Sequence, residues 1–122
     1  MATRSDVVEF LNLFKGCVSL GRYDVRTRHK NRQGLIDLGL SAVERREILL
    51  GLEPENYIAG PKPDDTDPAH EVWEFGKKLG EEEIYIKLRV VRETSAGRHH
   101  ALVWSFHPAE FKVRYPLKGG TP

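Results

Sequence analysis

The sequence predicts an α+β domain, in which N-terminal helices pack on one face of a small antiparallel β-sheet. The apolar residues recur at helical spacing before residue 60, whereas after residue 71 they alternate with polar residues as in strands. Between the two patterns lies a loop rich in proline and aspartate, residues 60–68. A chain of 122 residues is the length of one domain, which we expect to span 1–116, with a disordered tail at 117–122.

Three helices are predicted ahead of this loop, and their bounds are 6–16, 30–38 and 42–50. Ser5 is the expected N-cap of the first helix. The third follows Ser41, which forms a capping box with Glu44 because each side chain can bond the other residue's backbone N–H. Residues 53–57 are typical of one further helical turn. The segment 23–28 is typical of either a short strand or an extended basic loop.

Three strands are predicted after the loop, at 71–76, 83–92 and 99–107, joined by turns at 76–80 and 93–97. In the second strand, the apolar residues of one face are Ile84, Ile86, Leu88 and Val90. The opposite face has Tyr85, Lys87 and Arg89, and we expect this face to be exposed. In the third strand the same alternation places Leu102, Trp104 and Phe106 toward the core, and Ser105 and His107 beside Tyr85 and Lys87.

Composition and charge exclude some classes of protein but do not identify the function. The net charge is only +1, but basic residues concentrate in the segment 22–32, where Arg26, Arg28 and Lys30 are candidates for RNA backbone contacts. An acidic protein partner or a solubilising loop fits this segment as well. The sequence has no apolar run of membrane-spanning length and no signal-peptide pattern at its N-terminus, so we expect a cytoplasmic protein. The lone Cys17 allows no internal disulfide.

The cluster of Tyr85, Lys87 and His107 is typical either of a solvated strand face or of a site that acts on a phosphodiester. Lysine and arginine neutralise a phosphate and its transition state, and histidine exchanges protons near neutral pH. The chain contains no clustered Cys/His ligand set and no glycine-rich phosphate loop, so we predict no metal and no cofactor. In RNA the ribose 2′-OH is a built-in nucleophile, which needs only a general base and a general acid.

Three blocks of the chain resemble the MqsR-family toxins of type II toxin–antitoxin systems. These blocks are LGLSAVERREILLGLEPENY, VWEFGKKLGEEEIYIKLRVV and ALVWSFHPAE, and they cover residues 35–110 approximately. The shared pattern is a helix ending in Gly-Leu, an acidic turn with an aromatic residue, a Trp-containing strand, a Tyr-Ile-Lys strand and a strand ending in Ser-Phe. The resemblance implies a RelE-like fold and an endoribonuclease that cuts mRNA, held inactive by a cognate protein antitoxin that has a DNA-binding domain.

The resemblance also assigns roles to residues of this chain. The family's catalytic tyrosine and strand lysine fall on Tyr85 and Lys87, and the basic residue after Ser-Phe falls on His107. A family glutamine falls on Glu74, which departs from the pattern. Another functional lysine falls near Ala59, where Lys62 is the nearby substitute. In the implied mechanism His107 is the general acid, Glu74 or Tyr85 the base, and Lys87 the stabilising cation, while Arg89 contacts RNA or antitoxin.

Two other functions fit the same residues. A non-catalytic RNA- or ribosome-binding module would use the same basic face without proton transfer. A protein-interaction domain would dock a partner on the sheet and bind no RNA. For the toxin we expect oligomers only together with the antitoxin, and no membrane association.

Overall fold

The computed structural model describes residues 1–93 and 97–118, which form three α-helices, one 3₁₀ turn and a five-stranded sheet. The helices are α1 (Arg4–Ser19), α2 (His29–Leu38) and α3 (Ala42–Leu50), followed by the 3₁₀ turn Pro54–Asn56. The strands are β1 (Tyr23–Val25), β2 (Tyr57–Pro63), β3 (Glu71–Leu79), β4 (Glu82–Glu93) and β5 (Arg98–Pro108). The predicted α+β class is therefore confirmed.

The sheet is mixed, and in this respect the prediction of an antiparallel sheet was wrong. Its strand order is β1-β5-β4-β3-β2, and β2 to β5 form an antiparallel meander. The segment after α1, which the sequence left open between strand and loop, forms β1 and runs parallel to β5. Backbone bonds on either side of β1 hold this pairing: Ala101 N–H donates to the Arg22 carbonyl at 3.0 Å, and Arg26 N–H donates to the Val103 carbonyl at 2.9 Å.

Helix α1 begins two residues before the predicted start. Thr3 is its N-cap rather than Ser5, and Thr3 and Asp6 form a capping box with bonds of 3.0 and 3.1 Å. The helix also continues through Gly16 to Ser19. For α3, the predicted capping box of Ser41 and Glu44 is confirmed.

Two strand predictions were wrong in extent. Residues 57–63 form β2, although the sequence predicts a loop from residue 60. Prolines are tolerated there because β2 is an edge strand, in which a backbone nitrogen that faces solvent needs no hydrogen bond to a neighbouring strand. Strand β3 passes through Gly76, and the chain reverses only at Gly80, whose φ of 64° is left-handed. Of the predicted second turn, residues 94–96 lie outside the described residues.

The core lies between the sheet and helices α1 and α3. Its sheet side comprises Phe75, Ile84, Ile86, Leu88, Ala101, Val103 and Phe106. The alternation of β5 slips at a bulge, because Lys87 pairs with Ser105 whereas Leu88 pairs with Val103. Leu102 and Trp104 therefore do not join the core cluster, so that part of the prediction was wrong. Trp104 is buried on the opposite face.

Helix α2 covers the edge of β5 beyond the end of β1. Asn31 bonds this edge like a neighbouring strand: its Nδ2 donates to the Trp104 carbonyl at 3.1 Å, and its Oδ1 accepts from Phe106 N–H at 3.0 Å. Gly34 permits the close approach, because a Cβ there would lie 2.8 Å from the Phe106 carbonyl oxygen. The contact fixes the segment of β5 that leads into His107.

Candidate functional site

The four predicted catalytic residues lie on one face of the sheet, which we call the outer face because it is opposite α1 and α3. They are held by strand register on β3, β4 and β5. Glu74 pairs across the strands with Lys87, and Tyr85 pairs with His107. The Tyr85 and His107 rings are 5.7 Å apart between centroids. The structure thus brings together the side chains that the sequence singled out.

Tyr85, Glu74 and Lys62 form a hydrogen-bonded chain. The Tyr85 hydroxyl donates to Oε2 of Glu74, and Oε1 of Glu74 accepts from Lys62 Nζ at 2.7 Å. Burial and the bond to Glu74 raise the pKa of Tyr85, so its hydroxyl stays protonated and is a poor general base. The same carboxylate raises the pKa of Lys62, which keeps the ammonium charged. Lys62, the substitute for the missing lysine, therefore joins the predicted site.

Lys87 is paired with a residue that sequence reasoning missed. Its Nζ lies 2.7 Å from Oδ1 of Asp64, whose side chain is fully buried. The other oxygen, Oδ2, accepts from the Thr66 hydroxyl at 2.7 Å and from the N–H groups of Thr66 and Asp67. Burial alone raises the pKa of Asp64, but the bonds from Lys87 and Thr66 outweigh it and lower the value to about 2. The Asp-Asp-Thr-Asp run was a signal for such a turn.

The hydrogen bond of His107 fixes which ring nitrogen holds the proton when the ring is neutral. Its Nδ1 lies 2.9 Å from the Pro108 carbonyl oxygen, which can only accept. Nδ1 is therefore the protonated nitrogen, and Nε2 has the free lone pair. His107 is 8% exposed and lines a groove of about 220 Å³ together with His29, Lys30 and Glu110.

Of the residues predicted to contact RNA, Lys62 belongs to this cluster and Lys30 reaches its edge, whereas Arg89, Arg26 and Arg28 lie apart from it. Arg89 continues the outer face along β4 and donates to the Glu71 carbonyl at 3.0 Å. The guanidinium of Arg26 lies 4.5 Å from the centre of the Trp104 ring, and Arg28 reaches the Trp104 carbonyl at 3.4 Å. Lys30 bonds Glu110 at 2.9 Å and reaches the groove beside His107. The three basic residues thus follow the edge of β5, and each has an intramolecular contact.

The expectation that the outer face is exposed was wrong, because two segments cover it. One is the loop 64–70, which Asp64 fastens to Lys87. The other is residues 109–118, which we call the C-terminal strap. Ala109 N–H donates to the Glu83 carbonyl at 2.7 Å, and the Phe111 ring meets the Tyr85 ring edge-on at 5.3 Å. Leu117, where the sequence predicts the start of a disordered tail, is buried, and residues 119–122 lie outside the described part of the chain.

Two of the histidines outside the cluster lie beside carboxylates. His100 lies 2.7 Å from Asp24 on β1, and His70 lies 3.5 Å from Asp67 in the loop. Within residues 1–93 and 97–118, no three His, Cys, Asp or Glu side chains are grouped as metal ligands would be. None of the helices in these ranges combines the length and apolar character needed to cross a bilayer.

In comparisons with protein-family models, curated proteins and solved structures, no significant match to this chain was found.

Proposed function

We propose that this protein is a metal-independent endoribonuclease that cleaves mRNA, and that it is the toxin of a type II toxin–antitoxin pair with a RelE-like fold. One observation supports the nuclease proposal above the others. Tyr85, Glu74 and His107, three groups able to hold or exchange a proton, lie together on adjacent strands beside Lys62 and Lys87. Such a set supplies the acid, the base and the cations that cleavage through the ribose 2′-OH needs.

The hydrogen bonds favour a division of roles opposite to the one that the sequence predicts. With Nδ1 bonded to the Pro108 carbonyl, Nε2 of His107 can accept the proton of the 2′-OH. The 2′ oxygen then attacks the adjacent phosphorus, and the bond to the 5′ oxygen breaks. Tyr85 exchanges its hydrogen bond to Glu74 for one to that oxygen and donates its proton there, which leaves a phenolate that solvent reprotonates after the products leave. The products are a 2′,3′-cyclic phosphate and a free 5′-OH.

Lys62 is the better placed of the two lysines to meet the phosphate. Its side chain is 42% exposed, whereas that of Lys87 is 14% exposed and is paired with Asp64. Lys87 therefore acts on the phosphate only through the electrostatic potential of its ion pair with Asp64. Lys62 supplies the positive charge that the phosphate can reach.

The test is cleavage of a long single-stranded mRNA by the purified protein in EDTA, with the fragment ends mapped. The wild type should leave cyclic-phosphate ends, and His107→Gln and Tyr85→Phe should lower the rate by roughly 10²–10⁴-fold, the usual contribution of a general acid or base. His99→Gln, a histidine at the far end of β5, is the matched control and should cleave as wild type. Full activity of both site variants would refute the assignment.

The toxin part of the proposal needs a cellular measurement. Induced expression should arrest growth, and His107→Gln should abolish the arrest at equal protein level. A small protein encoded beside this gene should restore growth when co-expressed. Arrest by the inactive variant would contradict the link between cleavage and toxicity.

The non-catalytic RNA-binding module remains the second candidate, because one observation favours it. Lys87 is neutralised by a buried carboxylate, and the Tyr85 side chain lies beneath Phe111 in the described structure. This candidate predicts RNA binding with intact RNA in the same assay, and equal binding by wild type and His107→Gln.

A further inference from the structure

The C-terminal strap, residues 109–118, forms one wall of an open groove that the nuclease mechanism does not use. The groove has a volume of about 770 Å³. Its other wall includes Ile58 on β2. The lining residues are Ile58, Phe111, Lys112, Arg114, Tyr115 and Pro116. We propose that this groove binds single-stranded RNA and guides it to the cluster around Tyr85, an inference that builds on the proposed function because it names the surface that holds the substrate.

The charge of the strap supports an anionic occupant. Residues 111–118 include Lys112, Arg114 and Lys118 and no acidic residue. Neither Lys112 nor Arg114 makes an ion pair with a described residue, in contrast to Lys30, Lys62 and Lys87. Two carboxylates meet the strap among the described residues, and each already has a partner: Glu110 within the strap pairs with Lys30 at 2.9 Å, and Glu83 accepts a bond from the Tyr115 hydroxyl at 2.8 Å. Two cations on this wall are thus available to a phosphate backbone.

The aromatic residues of the strap decide which anion fits best. The Phe111 side chain is 54% exposed, although a large apolar ring is usually buried. Tyr115 lies in the same groove and is half-buried. Exposed rings interleaved with unpaired cations are typical of surfaces that bind single-stranded nucleic acid, where bases stack on the rings and phosphates meet the cations. An acidic protein segment would use the cations but would gain little from the rings.

The position of the groove connects it to the candidate catalytic residues. The Phe111 ring is in edge contact with the Tyr85 ring, at 5.3 Å between centroids. Tyr115 packs over Gly76 of β3, where a Cβ would lie 2.7 Å from its hydroxyl, and Gly76 is the cross-strand partner of Tyr85. The two rings of the strap therefore lie against the same part of the sheet, and a strand bound along them passes Tyr85.

Binding is measured apart from cleavage with a fluorescein-labelled single-stranded oligonucleotide whose riboses are 2′-O-methylated, since this probe has no free 2′-OH nucleophile. Fluorescence anisotropy is recorded against salt concentration. Lys112→Ser/Arg114→Ser should make the slope of log affinity against log salt shallower by about 1.4, the value for two single-strand phosphate contacts. Phe111→Leu, which keeps an apolar side chain over Tyr85, should weaken binding by roughly 5- to 100-fold through lost stacking.

The matched control is Arg92→Ser/Arg98→Ser, which removes the same charge from positions at the opposite end of the β4–β5 hairpin. This variant should bind as wild type with an unchanged salt slope, and circular dichroism should show that all variants fold. Duplex RNA should bind more weakly than the single strand, because its bases are not free to stack.

Three results would overturn the inference. In the first, the strap variants bind the probe as tightly as the wild type. In the second, the control variant loses as much affinity as the strap double variant. In the third, oligoglutamate displaces the probe and Phe111→Leu has no effect on binding. The last would indicate an acidic protein partner. If the strap variants lose binding but the wild type cleaves no RNA, the groove assignment stands and the nuclease proposal fails. If the wild type cleaves RNA and the strap variants bind normally, the nuclease proposal stands and the groove assignment fails.

Discussion

Replacing Asp64 by asparagine should remove the ion pair with Lys87 on the outer face. The carboxyl has a pKa of about 2 against an ordinary value of 3.8, because the bonds from Lys87 and Thr66 favour its charged form. At about 1.4 kcal/mol per pKa unit, this difference of nearly two units corresponds to about 2 kcal/mol of folding free energy at neutral pH. The asparagine side chain would be uncharged, and Lys87 would be left 14% exposed with no counter-ion.

The sign of the pH dependence follows from the lowered pKa. The stabilisation is complete above the pKa of the unfolded carboxyl and is lost as the pH falls through the folded value of about 2. Urea unfolding of wild type and Asp64→Asn should therefore differ by about 2 kcal/mol at pH 7, and the difference should shrink with acid, as protonation makes the wild type resemble the variant.

The control for this experiment is Asp65→Asn, because Asp65 is the exposed neighbour in the same loop. Its free energy of unfolding should match that of the wild type. The reasoning would be refuted if wild type and Asp64→Asn had the same free energy of unfolding at pH 7. It would also be refuted if their difference stayed constant down to the lowest pH at which both proteins fold.

Three further substitutions test the supports of the site. Asn31→Leu leaves the Phe106 N–H without a partner and the Trp104 carbonyl with only the 3.4 Å contact from Arg28, so we expect a loss of about 1–3 kcal/mol in urea unfolding, and no loss would contradict the edge-capping role. Gly34→Ala places a Cβ 2.8 Å from the Phe106 carbonyl oxygen, which should cost about 1–3 kcal/mol and lower the melting temperature. Tyr85→Phe removes the hydrogen bond to Glu74 and should lower stability by only about 1 kcal/mol, so a larger loss in thermal unfolding would indicate a mainly structural role.

The sequence could predict the strands that hold the candidate site because their alternation is strict. In β4 every second residue from Ile84 is apolar, so Tyr85 and Lys87 had to share the other face. The register with β3 did not follow from the predicted turn at 76–80, because β3 continues to Leu79 and the chain reverses at Gly80. The helix positions were predictable for a similar reason, since the capping box at Ser41 fixes where α3 begins.

The features that sequence reasoning missed are those without a period. The bulge in β5 reverses the alternation at Trp104, and nothing in ALVWSF marks where an extra residue is inserted. Strand β2 is an edge strand with two prolines, so its composition is that of a loop. The pairing of Asp64 with Lys87 joins residues far apart in the chain, and only the folded sheet brings them together.

The two ion pairs of the outer face are weak evidence for a purely structural role. A buried or partly buried ion pair must offset the loss of hydration of both ions, and apolar residues of similar size often give equal or greater stability. The opposite face of the same strands is apolar and packs well, so the sheet does not require charge at these positions. Under the proposed function, the accessible Lys62 of the pair with Glu74 meets a ligand, whereas the buried pair of Asp64 and Lys87 also contributes to the stability of the fold. The proposed phosphodiester substrate is such a ligand, because its anionic oxygens can take the place of the Glu74 carboxylate beside Lys62, next to Tyr85 and His107.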